Sequence, residues 1–105
     1  MRFTALKLNS LRDLLFEELR DLYSAETQLI DALPKMAEAA TSRELKSAFK
    51  HHLEETRRQV SRLEDIFQQM GEKSSGETCE AMKGLIREGE VLVKRRAIPT
   101  CETQG

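Results

Sequence analysis

Tryptophan is absent from the 105 residues, tyrosine occurs once, and aromatic residues make up 5% of the chain. A core built on large rings is therefore excluded, and leucine, alanine, methionine and a few phenylalanines must fill it. An excess of charge of either sign is missing too: 17 Lys and Arg stand against 18 Asp and Glu, for a formal net charge of -1. A phosphate-binding surface needs a surplus of cations, so nucleic acid is not expected as a partner. There is no long apolar run at the start, where MRFTALKLNSLRDLL breaks its apolar residues with Lys7, Asn9, Ser10, Arg12 and Asp13. That stretch holds neither a signal-peptide core nor a membrane span, which predicts a cytoplasmic protein with no membrane partner. Only two cysteines are present, Cys79 and Cys101, far apart and without CxxC spacing, and free thiols are expected.

What is present is helical periodicity. Charged residues at 33% and hydrophobic residues at 39% suit amphipathic helices in one small domain. A first helix is expected from Asn9 or Ser10, either able to cap it, to about Ala40. Leu15, Leu19, Leu22, Glu26, Leu29, Leu33 and Met36 alternate at steps of four and three, which places them on one face. Glu26 is the charged member of that seam. Pro34 removes a backbone donor and predicts a kink near 30–34 without a complete break. Thr41 and Glu44 have capping-box spacing and open a second helix. Its seam reads Leu45, Phe49, His52, Thr56, Gln59, Leu63, Ile66 and Met70, widened by Ala48, Val60 and Phe67, and Gly71 can close it.

The linker GEKSSG leads to a shorter third helix whose apolar face is Met82, Leu85, Ile86, Leu92 and Val93. A domain over 1–93 and a disordered tail over 94–105 are expected. The fold class that follows is all-α: an antiparallel hairpin plus a third helix.

A tight turn near Thr41 puts Glu26 at the level of Thr56, with His52, Glu55 and Gln59 within a turn of it. Three readings fit this patch. It can be a buried polar network joining Glu26 to His52, Gln59 or Tyr23. It can be a metal site for iron, manganese or zinc. It can be a dyad with His52 as base beside Glu55, although no nucleophile accompanies it.

The segment DLYSAETQLIDALPKMAEAATSRELKSAFKHHLEETRRQVSRLEDIFQQMG, followed by CEAMKGLIREGE, resembles the ferritin-like YciE/YciF family of bacterial stress-associated proteins over about residues 11–93. The resemblance implies a four-helix, ferritin-like bundle, often dimeric, with an iron or di-iron centre and at most an iron-oxidising or peroxide-handling activity. Carried over by position, Glu26 matches the first-helix carboxylate, and Glu54 and Glu55 fall in the second-helix acidic element. Arg57 stands where some relatives have the histidine of Glu-x-x-His, and arginine cannot ligate a cation. That leaves Glu26, His52 and Glu55 as the expected metal ligands, with Glu54 ranked behind them as an exposed partner of Arg58.

The two further long helices of the family are not in this sequence, so the chain resembles half a bundle. The third helix covers the hairpin, two copies associate, or the chain is a shortened product with an incomplete site. A homodimer is the expected partner arrangement, and a helical interaction module without a working metal site is the competing function.

Overall fold

The computed structural model describes residues 11–97, with side chains as far as Lys94. They form three helices and no strand: α1 (Leu11–Ala39), α2 (Arg43–Met70) and α3 (Glu80–Ala97). The all-α hairpin with a third helix is the architecture expected. α1 runs unbroken through the exposed Pro34, which leaves the Ile30 carbonyl without its helical donor.

The cap of α2 differs from expectation by one residue. Ser42, not Thr41, adopts the extended cap conformation (φ -87, ψ 144), and its Oγ accepts from the Leu45 N–H at 2.9 Å. Glu44 thereby becomes the second helical residue, where it complements the helix dipole instead of reaching back. Lys46 ties the turn by donating to the Ala37 and Glu38 carbonyls at 3.1 and 3.3 Å, two acceptors that α1 leaves open at its end. At the far end Gly71 takes the left-handed conformation (φ 68) that glycine adopts without steric cost. The Gly71 N–H donates to Gln68 and the Glu72 N–H to Phe67, which closes α2 in a Schellman motif.

α1 and α2 pack antiparallel around Phe16, Leu63 and Phe67, with Leu19 and Tyr23 against them. The Phe67 ring lies 5.8 Å from Phe16 and 5.9 Å from Tyr23, the latter edge to face. The seams agree with the sequence expectation in part: Leu19, Glu26 and Leu33 on α1 and Phe49, Thr56 and Leu63 on α2 fall where expected. The ridge that α1 turns toward α2 carries Phe16, Leu19, Tyr23, Glu26, Leu33 and Ala37, and the facing ridge carries Phe49, Leu53, Thr56, Val60, Leu63 and Phe67. Leu15, Leu22, Leu45, Ile66 and Met70, all expected inside, are exposed.

α3 packs mainly on α1, on the side away from α2. Cys79 fastens its start: the Ser24 Oγ accepts from the Cys79 N–H at 2.9 Å, and the Gln28 amide donates to the Cys79 carbonyl at 3.1 Å. Cys79 itself is buried and free. The small Ala25 and Ala32 are buried on that side of α1, where Met82, Ile86 and Val93 half-bury. Leu85 and Leu92, expected on the same face, turn outward because they lie about a quarter turn further round the helix.

Three helices side by side at the usual 8–10 Å spacing give a single layer, and the described chain measures 60 × 28 × 15 Å. α3 continues to Ala97, past Lys94 where a tail was expected, since Arg95, Arg96 and Ala97 are all good helix formers. The rest of that tail, Cys101 and the Asn9 and Ser10 caps lie outside the described residues. Among the described residues no helix is long and apolar enough to cross a membrane.

Candidate functional site

The layer has two unlike faces. Along one, polar contacts tie the hairpin and its linker together. Arg20 donates to the Lys73 carbonyl at 2.7 Å and to Glu72 at 2.9 Å, Arg12 reaches the other Glu72 oxygen at 3.0 Å, and Tyr23 donates to Glu64 Oε2 at 2.8 Å. Along the other face lie Leu22, Ile66 and Met70, turned away from the centre of the buried ridges, with Leu15 and Leu45, in phase with buried Leu33 and Leu63, exposed near the starts of their helices. Glu26 sits on the α1 ridge at the border with this apolar face.

Glu26 is half-buried, and its Oε1 is fully enclosed with no hydrogen-bond partner. On α2, Thr56 is the one fully buried polar side chain among the described residues. Thr56 does not answer the Glu26 oxygen: its hydroxyl turns back along α2 and donates to the His52 carbonyl at 2.8 Å, with the His52 Nδ1 at 3.5 Å. Nor does Tyr23, which is engaged with Glu64 on the opposite face. The polar network that would have satisfied Glu26 within the chain is thus not formed around this oxygen. An unpaired buried acceptor costs about 1–3 kcal/mol, and such an atom in a folded protein calls for a reason.

The remaining predicted ligands are spread out. His52 is exposed on the apolar face beside Thr56, while Glu55 points further round α2 and meets the His51 Nε2 at 3.4 Å. Glu54 is exposed. Glu26 and His52 therefore border the same open face, and Glu55, on the Ile66 side of α2, is engaged with His51 instead. Among the described residues no three His, Cys, Asp or Glu side chains come together in a way that could hold an ion. One hairpin supplies part of a metal donor set, not all of it.

Two features were not legible as sites. A cavity of about 300 Å³ opens between α1 and α3, floored by Ala32, Met36, Ile86 and Val93 and rimmed by Lys35, Glu90 and Lys94. Only the clustering of small residues on α1 hints at it. The Tyr23–Glu64 pair is the other, because helices had to be placed before residues on different elements could be matched.

The Tyr23 phenol is held above its ordinary value, first by its hydrogen bond to the Glu64 carboxylate, then by burial and the Glu64 charge, with Ser74 opposing. A raised phenol means the folded state keeps its proton longer than the unfolded chain. The resulting stability is complete below about pH 10 and disappears as pH rises through the folded value. Because the chain has a single tyrosine, its ultraviolet titration reports this group alone. The midpoint is expected above that of free tyrosine and should drop in Glu64→Gln; the same midpoint in both proteins would mean that the bond is not made in solution.

Residues 10–98 match the family described as "Domain of unknown function (DUF892)". The chain is 36% identical over 90 residues to Protein YciF of Escherichia coli (strain K12), a match covering 85% of this chain and 54% of that protein. Its structure superposes on the crystal structure of the E. coli stress protein YciF with a TM-score of 0.75 at 37% identity, over 81% of this chain and 54% of the other. The chain spans about half the length of the relative it matches. With a family match that spans every described residue, the protein belongs to the DUF892 family.

Proposed function

We propose that this chain is a stress-response protein of the YciF kind that binds iron or a similar divalent ion, with Glu26 as carboxylate ligand and His52 as nitrogen ligand. The observation that carries this reading is the enclosed, unpartnered Oε1 of Glu26 on the border of an open face. A buried carboxylate oxygen facing no donor suits a cation better than any neighbour the chain provides. Glu55 enters the set only by leaving His51, an exposed pairing worth little. A bound iron would supply redox chemistry with dioxygen or peroxide that side chains lack. The residues of the chain contribute binding and the exclusion of water on the enclosed side.

Anaerobic titration of the purified apoprotein with Fe²⁺, and separately with Mn²⁺ and Zn²⁺, tests this. Saturable binding with a rise in melting temperature is expected, since free ion at 100 times Kd adds about 2.7 kcal/mol. Glu26→Ala should remove both effects. If no ion binds stoichiometrically or shifts the melting curve, the metal reading fails. The second reading, a non-catalytic interaction module, then stands on the exposed Leu15, Leu22, Leu45, Ile66 and Met70.

A further inference from the structure

The cavity between α1 and α3 belongs neither to the hairpin core nor to the Glu26 border. It forms where the two helices meet over small residues. Ala32 is buried on α1, and Gly89 of α3 lies so near Met36 that a Cβ added to it would stand 3.8 Å from the Met36 Cε. Beside that contact the helix surfaces part and leave about 300 Å³.

The walls divide by chemistry. Ala32, Met36, Ile86 and Val93 offer no strong side-chain donor or acceptor, so what fills the floor has an apolar body. The rim holds Lys35, Lys94 and Glu90, two cations and one anion. None of the three is in an ion pair or a side-chain hydrogen bond among the described residues. The surplus is one positive charge, in a chain whose net charge is -1.

Size narrows the ligand further. Ligand sites commonly enclose about 300–1,000 Å³, and this cavity stands at the lower end, which suits one slender chain better than a fused ring system. From Ile86 to Lys94 the lining covers about 12 Å of α3 at 1.5 Å per residue. An extended chain advances roughly 1.2 Å per bond, so about ten carbons reach from end to end. Met36, unbranched and flexible, lets the wall adapt to such a chain.

We propose that the cavity binds a free medium-chain fatty acid, with the alkyl chain over Ala32, Met36, Ile86 and Val93 and the carboxylate between Lys35 and Lys94. Charge-assisted hydrogen bonds from two ammonium groups hold the head, and the chain gains by leaving water. A rim with one surplus positive charge matches a monoanion, which favours a carboxylate over a phosphate ester carrying nearly two charges. The ligand touches both helices, so binding also fastens α3 to α1. The site is independent of the metal reading, which uses a different ridge of α1.

Isothermal titration calorimetry of the 105-residue chain with hexanoate, octanoate, decanoate and dodecanoate, all kept monomeric, tests the proposal. One site per chain is expected, with affinity rising about three- to fourfold per methylene up to decanoate. Dodecanoate should gain less than about threefold for its two further methylenes, since the cavity is then full. Decanol and decylammonium should bind about tenfold or more weakly than decanoate, and Lys35→Glu combined with Lys94→Glu should weaken decanoate by as much. Glu90→Gln should tighten it, and Lys50→Glu, on the exposed side of α2, should leave it unchanged. Val93→Phe, which fills the cavity, should abolish binding, with helix content checked by circular dichroism.

Should Val93→Phe disturb the fold, the chain-length series and the lysine variant decide, since neither alters the packing of α3. Decanol bound as tightly as decanoate overturns the proposal, as does decanoate affinity indifferent to the lysine variant or an absence of saturation by about 1 mM. Decanoate bound only by a chain ended at Ala97 would put residues 98–105 in the cavity. Capture by phosphatidylglycerol vesicles without binding of free decanoate would make the partner a membrane surface. Either result overturns the fatty-acid site.

Discussion

Phe67→Ala is expected to unfold the hairpin near room temperature. Phe67 is 2% exposed and holds the Phe16 and Tyr23 rings together at one end of the molecule. Removing a buried phenylalanine ring costs about 3–5 kcal/mol, because the contacts are lost and the cavity closes only in part. Folded domains are stable by about 5–15 kcal/mol, and a small layer with one face open belongs at the low end. The Phe67 carbonyl also accepts the Glu72 N–H in the Gly71 closure, and Glu72 is the residue that Arg12 and Arg20 grip. Loss of the ring thus loosens the end of α2 and the linker to α3 together. Thermal melts followed by circular dichroism should show the folded baseline shortened or gone. Val91→Ala, on the exposed side of α3, should change stability by less than about 0.5 kcal/mol. Equal losses in the two variants would mean that the Phe16–Phe67 cluster is not the core.

The helices and the Gly71 closure were legible in the sequence because each depends on local spacing. The faces were not. α1 carries two adjoining apolar stripes, one through Phe16, Leu19 and Tyr23, the other through Leu15, Leu22, Leu29 and Leu33. Periodicity finds both stripes and cannot say which one a partner helix covers. Counting leucines favours the second stripe, yet Leu15 and Leu22 on it are exposed while Phe16 on the first is buried. On α2 the same ambiguity made Phe67 and Val60 look peripheral when they are central. His52 and Glu55 were expected inside for this reason, since both were referred to the open stripe.

The small residues point the other way from their hydrophobicity. Ala25 and Ala32 contribute little apolar area, yet they are buried because α3 approaches α1 there. Such a contact depends on a third element whose direction no spacing within α1 encodes. The orphaned oxygen of Glu26 is legible only from the structure, since it depends on Thr56 turning its hydroxyl back to His52.

Glu26→Leu is expected to stabilise the apoprotein. The substitution removes an enclosed acceptor without a donor and puts an apolar side chain on a ridge already lined by Leu19 and Leu33. Relief of the unsatisfied group is worth about 1–3 kcal/mol, and each kcal/mol moves the melting temperature of a domain this size by about 4–8 °C. The same change should abolish the response to Fe²⁺, because no carboxylate remains on that ridge to ligate it. Stability and ion response therefore move in opposite directions, which separates a functional carboxylate from a structural one. A structural Glu26 held by a hydrogen bond would lose stability on becoming leucine, so a lower melting temperature for the variant would refute the orphan reading. A higher melting temperature with the metal response intact would place the ion elsewhere in the chain. Where Glu26→Leu melts higher and no longer responds to iron, the carboxylate is present at a cost of stability, as expected of a ligand and not of a packing residue.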